Sequence, residues 1–153
     1  MSADAAVRER VLGYLRAHHV MTLATSEPWA AAVFYVNEDF ALHFLSAATT
    51  RHCARLRADP RVAVTVQDDT GDWRTIRGVQ LEGTVAPVSG SSLQRVQALY
   101  ARKFPFAGAD APAPLARALA RVDWYTVTPT GVWFVDNARG FGHRDHIALQ
   151  SGG

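Results

Sequence analysis

The run Ala41-Leu-His-Phe-Leu-Ser46, continuing as Ala47-Ala-Thr-Thr-Arg-His-Cys-Ala-Arg-Leu-Arg-Ala-Asp-Pro60, decides how the chain is read. Leu42 and Phe44, alternating with Ala41, His43 and Leu45, fit a strand. Thr49 or Thr50, followed by the Cys53/Leu56 apolar spacing, fits a short capped helix that Pro60 ends. A helix's first turn leaves backbone N–H groups unpaired and carries the positive end of the macrodipole; here hydroxyls, Arg51 and His52 gather at that point. A phosphate suits such a place. An ordinary N-cap beside a solvated arginine suits the same residues, so the remaining chain has to decide.

A chain of 153 residues is one domain, 1–153, with 48% hydrophobic and 20% charged residues, as in soluble globular proteins. No apolar run reaches the roughly 20 residues of a membrane helix. Arg8, Glu9 and Arg10 interrupt any leader pattern, so a cytoplasmic location without membrane contact is expected. The single cysteine, Cys53, excludes an internal disulfide framework and reads as a small buried hydrophobe. The net charge is only +2, and Arg51, Arg55, Arg57 and Arg61 surround a helix instead of forming a stripe, so no nucleic-acid surface is expected.

Outward from the opening stretch, Val7, Val11, Tyr14 and Leu15 predict an amphipathic helix over 4–18 that covers an apolar surface. Val20 to Thr25 and Trp29 to Asn37 predict strands, the second apolar on both faces and hence central. Asn37-Glu38-Asp39 closes a hairpin into the opening strand. Val62, Val64 and Val66 alternate as a half-buried strand, and Arg74 to Val88 forms the longest one, with a bulge or bend at Gly78. Ser91 and Gln94 suggest a capping box for a helix running to Phe104-Pro105, and Leu115 and Leu119 a further short helix. Trp124 to Thr128 and Val132 to Asp136 predict a last hairpin around Pro129-Thr130-Gly131, so that the barrel occupies 20–137 and a polar tail 138–153. The sum is a mainly β fold, a split antiparallel barrel of about six to seven strands with peripheral helices.

The six histidines form no convergent ligand pattern, so no metal is expected. There is no Gly-x-Ser-x-Gly or Cys/His signature, and Gly140-Phe-Gly142 follows no strand-to-helix crossover, which excludes a dinucleotide fingerprint.

Taken together, Phe44-Leu45-Ser46-x-x-x-Thr50-Arg51-His52, Asp59-Pro60-Arg61-Val62, Arg77-Gly-Val-Gln-Leu-Glu-Gly83 and Tyr100-x-x-Lys-Phe-Pro105 resemble the pyridoxamine-phosphate-oxidase-like FMN-binding split barrels. Thr50 to His52, Ile76 to Gln80 and Asp136-Asn-x-x-Gly-Phe-Gly142 resemble its small YhbP-like bacterial branch. The resemblance implies a homodimer that binds FMN in two interface clefts and acts on a small molecule by hydride transfer through the flavin. It places Ser46, Thr50 and Arg51 at the phosphate, and His52 where better-known members carry lysine. Val33, Phe34, Gln80 and the partner's Trp133 become flavin walls, and Gly78 stands where the oxidases have a glutamine. The Arg/His motif of true pyridoxamine-phosphate oxidases is not recognisable around His143, Arg144 and His146, so that activity is not carried over. A haem- or other ligand-binding module with His143 or His146 as ligand, a deazaflavin in place of FMN, and a cofactor-free dimer stay open as alternatives.

Overall fold

The computed structural model describes residues 2–150. It begins with helix α1, Ala3–Ala17, capped by the Ser2 hydroxyl, which accepts from the Ala5 amide. Strands β1 (Val20–Thr25), β2 (Trp29–Phe34), β3 (Val36–Glu38) and β4 (Ala41–Ser46) follow, then helix α2 (Arg51–Ala58), strand β5 (Arg61–Gln67) and strand β6 (Arg77–Pro87). Helices α3 (Gly90–Lys103) and α4 (Ala113–Leu119) precede the long strand β7 (Asp123–Asp136) and strand β8 (Arg144–Ile147). Among the described residues no helix is long and apolar enough to cross a membrane.

The strands form one antiparallel sheet in the order β2-β1-β5-β6-β7-β4-β3, with β8 also on β7. Its two ends, β2 and β3, are consecutive in the chain and joined at Tyr35, so the sheet rolls around a core and the backbone itself spans the split. Alternation fixes the register. Val62, Val64 and Val66 of β5 point inward, as do Val79, Leu81 and Val85 of β6, while Ala63, Thr65, Gln80 and Glu82 form the outer face.

Helix α1 closes the core with Val11, Leu12, Tyr14 and Leu15, and tertiary partners satisfy the carbonyls at its C-terminal end. The Tyr35 hydroxyl donates to Leu15 O at 2.7 Å, and the Lys103 ammonium donates to Leu15 O and His18 O. Burial beneath α1 pushes the Lys103 amine down to about 8 and the Tyr35 phenol up.

Five local expectations are corrected. The segment from Trp29 to Asn37 is not a central strand: it breaks at Tyr35, and β2 lies at the sheet's end with Trp29 and Phe34 exposed. The final hairpin is a single strand, because Thr130 is the extra residue of a bulge between the pairs Glu82/Gly131 and Gly83/Pro129. At Gly78 the ladder is regular. Glycine is needed there because a Cβ would sit 2.6 Å from Val66 O. Helix α3 starts before Ser91, with Ser89 at the N-cap position, so the Ser91/Gln94 box does not form. The polar tail carries β8, which buries Ile147 and pairs with Val132 to Val135; residues 151–153 lie outside the described residues.

Candidate cofactor site

Strand β4 ends at Ser46 and a four-residue turn delivers the chain to Thr50, the N-cap of α2. The Thr50 hydroxyl donates to Ala47 O at 2.9 Å and accepts the Cys53 amide at 3.3 Å. These two bonds set the angle at which α2 leaves the strand, and buried Cys53 and Leu56 hold the helix against the barrel. The amides of Arg51 and His52, at the first two helical positions, have no intrahelical acceptor, and no acidic residue occupies the first turn.

His52 turns inward. Its Nε2 lies 2.7 Å from Ser46 Oγ and 3.3 Å from Thr50 Oγ1, with Ser46 and His52 both buried. Burial lowers the His52 pKa, which favours the neutral ring. Arg51 is exposed, and its guanidinium lies 3.9 Å from the ring centroid of Trp29 on β2. An Arg55–Glu27 ion pair binds α2 to the β1–β2 turn as well. The result is a guanidinium beside two free amides with no acidic residue in the first turn of α2, and these donors fit a phosphate.

Val33 and Phe34 lie further along β2, four and five residues from Trp29, so roughly 13 to 17 Å of strand separates them from the Arg51 stack. Val33 packs against the core. Phe34 stays 46% exposed and contacts Phe104 and Phe106 at centroid distances of 5.0 and 5.8 Å. As consecutive strand residues they face opposite sides of β2, Val33 toward the core and Phe34 outward.

Gly78, Gln80 and Trp133 are elsewhere. They neighbour one another on the outer face, Gln80 opposite Trp133 and Gly78 opposite Val135, and Gly78 and Gln80 line a cavity of about 170 Å³ together with Thr65, Gln67 and Ile76. Ser46 pairs with Asp123 and Gln80 with Trp133, ten residues apart on β7, or on the order of 30 Å along the strand. Within one chain the two groups of residues are therefore far apart.

Two residues of β8 that the sequence did not link to Gln80 and Trp133 lie beside them. Arg144 donates to Gln80 Oε1 at 3.4 Å, and the exposed His146 ring stacks on Trp133 at 5.2 Å. Their signal was hidden because only the pairing of β8 with β7 brings them beside Gln80 and Trp133. His143 faces the other way, 3.2 Å from Asp145.

Comparison with known proteins gives the same architecture. The family model described as pyridoxamine 5'-phosphate oxidase matches residues 7–136. A UPF0306 protein from Klebsiella pneumoniae (strain 342) is 32% identical over 144 residues, 91% of each chain. Among solved structures, a heme binding protein from Mycobacterium smegmatis superimposes with a TM-score of 0.70 at 21% identity, over 95% of this chain and 58% of that one. A FAD-binding protein from Mesorhizobium loti gives 0.61 at 22% identity, over 88% and 94%. At these identities the two structures establish the split-barrel fold alone.

Proposed function

This chain belongs to the pyridoxamine 5'-phosphate oxidase family, and from that premise we propose that it is a cytoplasmic, FMN-binding homodimer with oxidoreductase chemistry on a small molecule. The observation that carries the proposal is the start of α2, where the exposed Arg51 guanidinium stands beside two amides without intrahelical acceptors and no acidic residue occupies the first turn. Arg51 and the α2 amides bind the phosphate, and Thr50 fixes their direction. Backbone groups of β2 near Val33 and Phe34 line one side of the isoalloxazine. The separation of the two groups of residues along β7 supports a second copy, whose Gln80 and Trp133 supply the opposite wall. Bound FMN supplies two-electron hydride chemistry that no side chain of this protein provides.

The pyridoxamine phosphate reaction itself is not part of the proposal. His146 and Arg144 sit on the outer face, but Arg144 is turned to Gln80 and His146 to Trp133.

The test is the visible absorption of protein purified without added cofactor, with mass spectrometry of the small molecule released on denaturation. Flavin absorption and the mass of FMN are expected. A colourless protein that added FMN cannot titrate removes the proposal. The exposed His146 favours one second reading, a haem-binding module, for which added hemin should give a Soret band that His146→Ala abolishes.

A further inference from the structure

Two turns project beyond the Gly78/Val135 pair. One is the 3-10 turn Trp73–Thr75, and the other runs through Asn137–Arg139 to Gly142. Each is closed by its own bonds: Asp72 Oδ1 caps the first, Thr70 and Thr75 share a hydroxyl bond of 2.7 Å, and Asp136 Oδ1 accepts the Ala138 amide in the second. Gly140 at φ 139° and Gly142 at φ 73° take backbone conformations that other residues avoid.

Buried Asn137 joins the two turns. Its Nδ2 donates to Trp73 O at 2.7 Å, its Oδ1 accepts the Gly142 amide at 3.0 Å, and its own amide donates to Ile76 O at 2.9 Å. At the tips of these pinned turns are two aromatic side chains that the fold leaves in water. Trp73 is 52% exposed and Phe141 83%, with ring centroids 5.8 Å apart at 70°. The pinned turns fix the backbone from which the two exposed rings project, which lowers the ordering cost of contact with a ligand. Arginines lie in the same segments. Arg74 is 5.2 Å from the Trp73 centroid and 3.4 Å from Asp72, Arg139 of the second turn is 3.8 Å from Asp136, and the exposed Arg144, which donates to Gln80, follows three residues after Phe141. Ile76 connects the pair to the cavity at Gly78 and Gln80.

We propose that Trp73 and Phe141, held by Asn137, are a stacking wall for a planar aromatic anion, which makes such molecules the substrate class of the adjoining cleft. Its assignment to substrate rests on the flavin reading of that cleft. The edge of Trp73 supports Phe141, whose free face takes the ligand ring, and the arginines face its negative group.

The experiment is calorimetric titration of the full chain with naphthalene-2-sulfonate and with cyclohexanesulfonate, which has the same charge without a planar ring. Separate FMN titrations of each variant accompany it. The wild type is expected to bind the naphthalene compound and prefer it; Phe141→Ala loses at least about tenfold, Phe141→Tyr retains binding, and FMN affinity stays within about twofold throughout. Equal binding of the naphthalene compound by Phe141→Ala, or no preference for the planar ring, overturns the proposal. So does conversion of the dimer to monomer by Phe141→Ala in sedimentation, which would make Phe141 a subunit contact. If wild-type protein fails to bind FMN while the Phe141 dependence persists, the wall stands and the flavin reading falls.

Discussion

His52 Nε2 and Ser46 Oγ are 2.7 Å apart, both buried at the start of α2, so the residue best placed to add charge to the anion site is instead bonded inside the protein. Its pKa is lowered by burial, so the ring is neutral near pH 7 and contributes orientation without charge.

His52→Lys is therefore expected to tighten FMN binding by about tenfold, equivalent to ~1.4 kcal/mol, by placing a permanent cation beside the phosphate. Fluorescence titration with FMN at pH 7.5 checks this. The same residue gives a stability signature without ligand. The unfolded ring takes up its proton near 6.5 and the folded ring only at lower pH, so acidification below 6.5 favours unfolding. His52→Gln should flatten that part of the urea-midpoint profile.

Arg51→Ala should weaken FMN binding by at least about tenfold, since a charge-assisted phosphate contact is worth about 1.5 to 3 kcal/mol. Arg51 is exposed and its stacking on Trp29 contributes only about 0.5 to 1 kcal/mol, so the melting temperature should change by no more than about 4 °C. A large loss of stability with unchanged FMN affinity would make Arg51 a structural residue.

The reason for glycine at position 78 is steric: a Cβ would meet Val66 O at 2.6 Å and Gln67 Cβ at 3.0 Å. Gly78→Ala should cost about 1 to 3 kcal/mol in urea denaturation, the usual range for overpacking. Gly78→Gln should destabilise at least as much and leave FMN binding no tighter.

The His18 ring joins α1 to Asp68, and Arg77 approaches the same carboxylate at 3.5 Å; the His18 bond is the main cause of the lowered Asp68 pKa. A carboxyl with a depressed folded pKa contributes stability above its ordinary value near 3.8, and that contribution disappears as pH falls through the folded value. Because the pair is partly exposed, about 1 kcal/mol is the scale, so Asp68→Asn should lower the melting temperature by about 2 to 4 °C at pH 6. The difference should vanish below the folded pKa.

What the sequence disclosed depended on whether a local pattern had one cause. Val62, Val64 and Val66 alternate because one face of β5 is buried, and Thr50 before Cys53 and Leu56 is a cap because its hydroxyl accepts the Cys53 amide at the start of α2. Pro129-Thr130-Gly131 has the composition of a turn, but a strand bulge opposite Gly83 uses the same residues. Trp29 to Phe34 reads as a core strand because its residues are apolar; at the sheet's end, that surface is left for other contacts. Strand β8 buries Ile147 as its single core residue, too little for a periodic signal. The strand, the Thr50 cap and the helix that follows it are contiguous in sequence and were legible, whereas Arg144 and His146 reach Gln80 and Trp133 only through β7–β8 pairing.

The most direct measurement is titration of flavin-free protein with FMN under analytical ultracentrifugation, recording stoichiometry and mass together. The account predicts a dimer taking up two FMN molecules, with affinity lowered by Arg51→Ala in one half-site and by Trp133→Ala in the other. A monomer that binds FMN fully, or a dimer that binds none, would contradict it.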